Sequence, residues 1–293
     1  MAMPSRGQSR VGWGLASPAI AAGLVVSIYP LVYLVATSVT KSTLGKPFQE
    51  WVGLGNFVKV VGDETFTDSL VRSVLVAVIG ALFQTSLGLA IALALRALVR
   101  GVGAITTLIL LPLLTPPVMA AVIWKLVLDP TGGVFNGLLR GLGFTEEPIS
   151  LLGSSTWAIV MIALADAWQW TPFVAILIYA ALLTLPDEVY EAAKIDGAGP
   201  WRSFVNITLP LVMPALIGIF MIKLILSFKL FDAIYILTAG GPGDTTTLSG
   251  YLIFRTGLRE FNVGAAAAMT LVFVLVVTIV TLPVMWASKK AKY

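Results

Sequence analysis

Histidine and cysteine are both absent from the 293 residues. Imidazole bases, thiolate nucleophiles, disulfides and zinc sites are therefore excluded, and the chemistry that remains is recognition. Asp166, Trp168, Gln169 and Trp170 fall together in an otherwise apolar run, with Phe173 one turn further on. A carboxylate and a carboxamide exchange hydrogen bonds with hydroxyl groups, and an indole face packs on the C–H face of a saturated ring. Ser227, Phe228, Lys229, Leu230, Phe231 and Asp232 close a later apolar run. A third feature is a charged island, residues 187–210, with Asp187, Glu188, Glu191, Lys194, Asp196 and Arg202. No catalytic residue and no metal site is expected.

The elements that must position these residues are membrane helices. Hydrophobic residues make up 58% of the chain, charged residues 12%, and the mean hydropathy is +0.94. A soluble domain carries about 25% charged residues, so this composition belongs to a bilayer. The net charge of +4 is dispersed, without the basic clusters of a nucleic-acid surface. Six segments reach the roughly 20 apolar residues that cross a hydrocarbon core. They lie near 15–40, 71–95, 105–128, 156–183, 211–230 and 263–286. Helices are expected, because backbone polar groups in lipid must be satisfied within the segment, and barrel strands would alternate in short runs. The first segment follows Arg6 and Arg10, yet it is longer than a signal h-region and lacks a small-residue cleavage site, which favours an uncleaved span.

Six spans put both termini on one side. With the termini inside, segments 1–14, 96–104, 184–210 and 287–293 hold nine Lys/Arg and four Asp/Glu. The outer loops 41–70, 129–154 and 228–262 hold seven Lys/Arg and ten Asp/Glu over more chain. The basic density favours cytoplasmic termini and places the 187–210 island in the cytoplasm.

Asp166 is the one acidic residue clearly inside a span. It either faces a cavity, where it would touch solute, or bonds a neighbouring helix or a partner subunit. Lys223 and Lys229 could attract an anionic solute, but near a helix end the reading preferred is that each snorkels to the headgroups. Pro112, Pro116 and Pro117 predict a kink or break in the third span, which could line a pathway or serve packing alone.

In the island, Pro186 opens a short helix with Asp187, Glu188 and Glu191 early, where the positive helix end favours acids. It should end near Gly197, and a second helix can start at Pro200 and run towards Thr208. Pro210 and Pro214 then mark re-entry into the membrane. Glu191, Ala192, Ala193, Asp196, Gly197, Ala198, Phe204, Ile207, Leu209 and Pro210 closely resemble the signature loop of the membrane subunits of binding-protein-dependent ABC importers. The resemblance extends to residues 167–193, to 230–254 with its Gly-Gly-Pro and threonines, and to VGLGNF at 52–57. It points to the first-permease type of the maltose and glycerol-3-phosphate branch, without the extra N-terminal spans and large outer domain of the maltose form.

The resemblance implies an all-α integral membrane protein of six transmembrane helices, the type I ABC importer permease fold, as a single transmembrane domain over 1–293. It implies a permease subunit for a carbohydrate, polyol or sugar derivative, not an enzyme, in the bacterial cytoplasmic membrane. Its partners would be a second, homologous permease, two ATP-binding cassette subunits and an extracytoplasmic solute-binding protein. The ATPase-coupling residues would be Glu191, Ala192, Ala193, Asp196, Gly197, Ala198, Leu209 and Pro210, on a knob that docks closely through its small side chains and a tightly packed turn at Gly197. Substrate-path candidates are Asp166, Gln169, Trp170, Phe173, Ser227, Phe228, Phe231 and Asp232. ATP and Mg would be bound by the partners, since no G-x-x-x-x-G-K loop is present. A phosphorylated or sulfonated solute is one alternative. A self-contained secondary carrier is another, although no repeat is visible.

Overall fold

A computed structural model describes residues 6–290, with side chains placed for residues 16–287. The ends expected to be cytoplasmic, 1–5 and 291–293, lie outside the described residues. Five helices are long and apolar enough to cross a membrane, and the count is six when a helix pair bent by 92° is taken as one span. The described chain divides into two compact units. One holds the residues up to Glu64 with Ile253–Val272; the other holds Thr65–Leu252 with the residues from Phe273 onward.

In the first unit α1 (Arg6–Ser38) leads into a two-residue hairpin, β1 (Thr40–Lys41) antiparallel to β2 (Glu50–Trp51). A short helix, α2 (Gly55–Val61), follows. Asn56 fastens α2 to this turn by donating from Nδ2 to the carbonyls of Ser38 at 2.9 Å and Thr40 at 3.0 Å.

The second unit is built on α3 (Glu64–Ala97), α4 (Val102–Leu114), α5 (Pro117–Val127), α6 (Val134–Gly141) and α7 (Trp157–Leu183). It continues through α8 (Asp187–Ile195), α9 (Pro200–Ser203), α10 (Leu209–Ser227) and α11 (Asp232–Leu237); α12 (Ser249–Phe254) and α13 (Val263–Lys290) each have residues in both units. Ala92 of α3, Val174, Ile178 and Leu182 of α7, and Val212, Leu216 and Ile219 of α10 form its main core. Gly88 permits the approach of α3 to α7: a Cβ there would stand 2.8 Å from Val174 Cγ1.

The third crossing breaks where the prolines predict. α4 and α5 meet at 92°. A residue before proline is pushed out of the helical region, and here Thr115 and Pro116 both precede one. Both are extended, at ψ 126° and 139°, and Pro117 then opens α5. Pro210 and Pro214 sit within one continuous helical run, because α9 continues through a π-helical turn (Phe204–Thr208) directly into α10. In that turn Leu209 N–H bonds to the Phe204 carbonyl, which shifts the ladder by one residue just ahead of the N–H that Pro210 lacks.

The Gly-Gly-Pro loop between α11 and α12 is held by its threonines. Thr238 Oγ1 lies 2.8 Å from Thr246 Oγ1, and Thr247 Oγ1 lies 2.9 Å from Asp244 Oδ1. Arg72 of α3 donates to the carbonyls of Asp244 and Thr247 at 2.9 and 2.8 Å. Gly240 is required by space as well as by its φ of +90°, since a Cβ would meet Thr247 Oγ1 at 2.5 Å.

Candidate functional site

A cavity of about 320 Å³ opens between α5, α7 and the segment joining α10 to α11. Asp166, Gln169, Trp170, Phe231 and Asp232 line it with Lys229. Five of the eight substrate-path candidates thus converge. The other three do not. Phe173 packs against the main core, Phe228 is buried beside Ala77, Ala81 and Leu224 with its ring edge-on to Phe273, and the Ser227 hydroxyl is buried without a partner. At the end of α10 neighbouring residues part: Leu226 lines the cavity, Ser227 and Phe228 are buried in packing, and the wall resumes at Lys229.

The Asp166 charge is paired. Lys223 of α10 is 1% exposed, and its Nζ stands 3.0 Å from Asp166 Oδ2, with the aspartate side chain 12% exposed. This corrects the expectation that Lys223 snorkels. A headgroup position offers water, whereas Asp166 offers a counter-ion, and a buried ammonium is tolerable only with such a partner. Gln84 of α3 donates to the same Oδ2 at 2.7 Å, so one oxygen gathers bonds from two helices. The face of Trp170 lies 5.7 Å from the Lys223 ammonium. Lys229, also expected to snorkel, is exposed on the cavity wall.

Gln169 has a second task. Its Nε2 donates at 2.8 Å to the carbonyl of Thr115, the residue at the α4–α5 break. Irregular backbone at membrane depth needs such a polar partner, and the amide oxygen and second N–H of Gln169 are left for the cavity.

The knob follows the expected plan at its first helix. α8 ends in a Schellman arrangement: Gly197, at φ +75°, donates to the Lys194 carbonyl at 3.1 Å, and Ala198 donates to that of Ala193 at 2.9 Å. Glu191, Ala192, Asp196, Gly197 and Pro210 are exposed, and Ala198 is half-buried. Ala193 is buried and Leu209 packs against the main core, so neither presents a docking surface. The turn is also not closely packed within this chain, since a Cβ at Gly197 meets no atom within 4 Å. Tyr190 ties the knob down: its hydroxyl lies 3.0 Å from Thr208 Oγ1, and it accepts from Arg96 at 3.1 Å while the guanidinium covers its ring at 4.6 Å.

Two groups of candidate residues were given no such place by the sequence reading. Gln84 was not singled out and Lys223 was not paired with Asp166, since each stood out only as a polar residue within an apolar run. Ile195 and Trp201 are 87% and 75% exposed on the charged knob, where large apolar side chains are out of place unless something covers them. Among the described residues no three His, Cys, Asp or Glu side chains converge as a metal site would require.

A chain with six crossings, one broken beside a polar cavity, and a charged knob at one end has the build of a transport subunit. Comparison with known proteins agrees. Residues 84–292 match the family described as "Binding-protein-dependent transport system inner membrane component". The chain belongs to this family, that of ABC importer permease subunits, which are transport components and not enzymes. It is 34% identical over 279 residues to the trehalose/maltose transport system permease protein MalF of Thermococcus litoralis, covering 94% of each chain. It is 34% identical to the sulfoquinovosyl glycerol transport system permease protein SmoG of Agrobacterium fabrum, covering 88% of this chain and 83% of the relative. It is 32% identical to the sn-glycerol-3-phosphate transport system permease protein UgpA of Yersinia pestis, with 83% and 82% covered. Among solved structures, one chain of a bacterial ABC transporter involved in the import of alginate matches with a TM-score of 0.86 at 22% identity, over 97% of this chain and 96% of that one. This likeness establishes the fold, that of a multi-pass importer transmembrane subunit.

Proposed function

We propose that this chain is one of two homologous permease subunits of an ATP-driven importer for an uncharged, hydroxyl-rich solute such as a sugar or polyol. Its relatives are named for trehalose, maltose, sulfoquinovosyl glycerol and glycerol 3-phosphate, all hydroxyl-rich. One observation favours an uncharged member of that set. The cavity has two carboxylates, a carboxamide and an indole, and the formal charges at it balance: Asp166 is paired with Lys223 behind it, and Lys229 and Asp232 share the wall. An anion-selective site would keep an unneutralised cation, so a phosphorylated or sulfonated solute is the weaker reading.

The exposed face of the knob, with Glu191, Ala192, Ile195, Asp196, Gly197 and Trp201, would dock on two ATP-binding cassette subunits that hold ATP and Mg. A solute-binding protein would deliver solute at the opposite end, near the Gly-Gly-Pro loop. Both termini and the knob would then be cytoplasmic. A reporter fused after Tyr293 should read cytoplasmic and one inserted at Gly243 external.

The central test is uptake by proteoliposomes carrying the complete complex. Labelled trehalose and maltose, offered with the cognate receptor, should be taken up in an ATP-dependent way. Trp170→Ala should impair uptake while the complex stays assembled, and Glu191→Lys should abolish receptor-stimulated ATP hydrolysis. Normal transport and stimulation in Glu191→Lys would refute the coupling role of the knob.

A further inference from the structure

We propose that Lys223 is a positioning residue of the solute cavity. It holds Asp166 by one carboxylate oxygen and thereby fixes the other as the cavity's acceptor for hydroxyl groups. This rests on the reading of that cavity as the solute site. A carboxylate accepts about four hydrogen bonds, two at each oxygen. Lys223 at 3.0 Å and Gln84 at 2.7 Å both use Oδ2, and among the described residues nothing donates to Oδ1. Asp166 lines the cavity, while Lys223 lies behind it with its own side chain sealed from solvent.

The two donors come from α10 and α3, and the carboxylate from α7. Its orientation is therefore set from behind by two other helices, as a fixed acceptor needs. Bonds to a charged oxygen are shorter and stronger than neutral ones, so Oδ1 would discriminate by hydroxyl position. The arrangement also explains why a cavity with a carboxylate can suit uncharged solutes: the cation that neutralises it never meets the solute.

A purely architectural ion pair predicts something different. Replacing both members of a buried pair with neutral groups of similar shape is often harmless to stability, whereas removing one leaves an uncompensated charge. The decisive variant is therefore the double Lys223→Met/Asp166→Asn. A second is the exchange Lys223→Asp/Asp166→Lys, which keeps a pair but moves the carboxylate away from the cavity. Complexes would be reconstituted with the ATPase and with receptor loaded with labelled trehalose or maltose. Uptake and receptor-stimulated ATP hydrolysis would be read together.

The expected result is assembly and stimulated hydrolysis in at least one of the two variants, with uptake reduced about tenfold or more, the size of one lost charge-assisted hydrogen bond. Wild-type uptake in the double variant or in the exchange would overturn the proposal. So would loss of assembly in both, since the pair would then serve the fold alone. Failure of the carbohydrate reading would show separately, as absence of uptake of both sugars by the wild-type complex.

Discussion

Trp201 offers the sharpest test of the knob as a docking surface, because its side chain does almost nothing for this chain alone. It is 75% exposed, and its one ring neighbour is Phe204, tilted at 5.6 Å. Trp201→Ala should therefore cost the isolated permease at most about 1 kcal/mol, the value of a partial aromatic contact. The loss at an interface is much larger. A Trp side chain buries about 150–250 Å², and three quarters of that at about 25 cal/mol per Å² gives a ceiling of about 3–5 kcal/mol. Ordering costs and imperfect burial bring measured losses at interface aromatics to about 2–4 kcal/mol, roughly thirty- to thousandfold in affinity. The assay is retention of the ATPase subunits by tagged permease in detergent, followed by receptor-stimulated hydrolysis in vesicles. Leu142→Ala, at a comparably exposed residue just after α6, is the control and should retain both. Wild-type retention and stimulation in Trp201→Ala would refute the claim that this face is covered by the motor subunits.

Further outcomes follow from the same geometry. Gly197→Ala should cost about 1–2 kcal/mol from its left-handed φ alone, with Gly197→Asn milder, because no atom obstructs a Cβ; thermal unfolding of the purified complex checks this. Any transport defect of Gly197→Asp beyond that of Gly197→Ala then reports the added charge at the interface. Tyr190→Phe removes the bonds to Arg96 and Thr208 and should raise hydrogen exchange across 187–208 by about 1–2 kcal/mol of lost protection. Asp187→Ala should change nothing measurable, since its contact with Arg96 is 3.7 Å long and the aspartate is 91% exposed. In the outer loop, hydrogen bonds from the Gly132 amide, then the Thr131 hydroxyl and amide, hold the Asp129 carboxyl below its usual value. A depressed folded value means stabilisation present above the unfolded value of about 3.9 and lost as pH falls through the folded one. The 129–132 turn should hold its amide protection at neutral pH, lose it only in strong acid, and lack it at all pH values in Asp129→Ala.

The elements that local rules govern were readable in advance. Acids after Pro186, the small residue at 197 and Pro200 dictate the first knob helix and its end, whatever surrounds them. The tandem Pro116–Pro117 forces a break for the same reason. Pro210 and Pro214 show where local rules stop. They ride inside a continuous helix, where a register shift at Phe204–Thr208 comes just ahead of the N–H that Pro210 lacks, and no spacing rule announces a shift of that kind. Lys223 shows the other limit. Its distance of 57 positions from Asp166 carries no spatial information, so an interior ion pair and a headgroup contact look alike until α7 and α10 are packed together. Exposure is equally invisible: Ala193 and Ala192 are the same residue in adjacent positions, yet one is packed underneath and the other faces outward.

The unbroken run from Pro200 to Ser227 is mechanically a lever. Trp201 and Lys223 are 22 positions apart on it, about 33 Å at 1.5 Å per residue. A 10° tilt pivoting at one of them displaces the other by about 6 Å by simple trigonometry on that length. A shift of that size is about twice the reach of the bond between Lys223 and Asp166. If the knob docks as proposed, a stroke delivered there would be geared to make or break contacts at the solute cavity, with no relay of side chains in between.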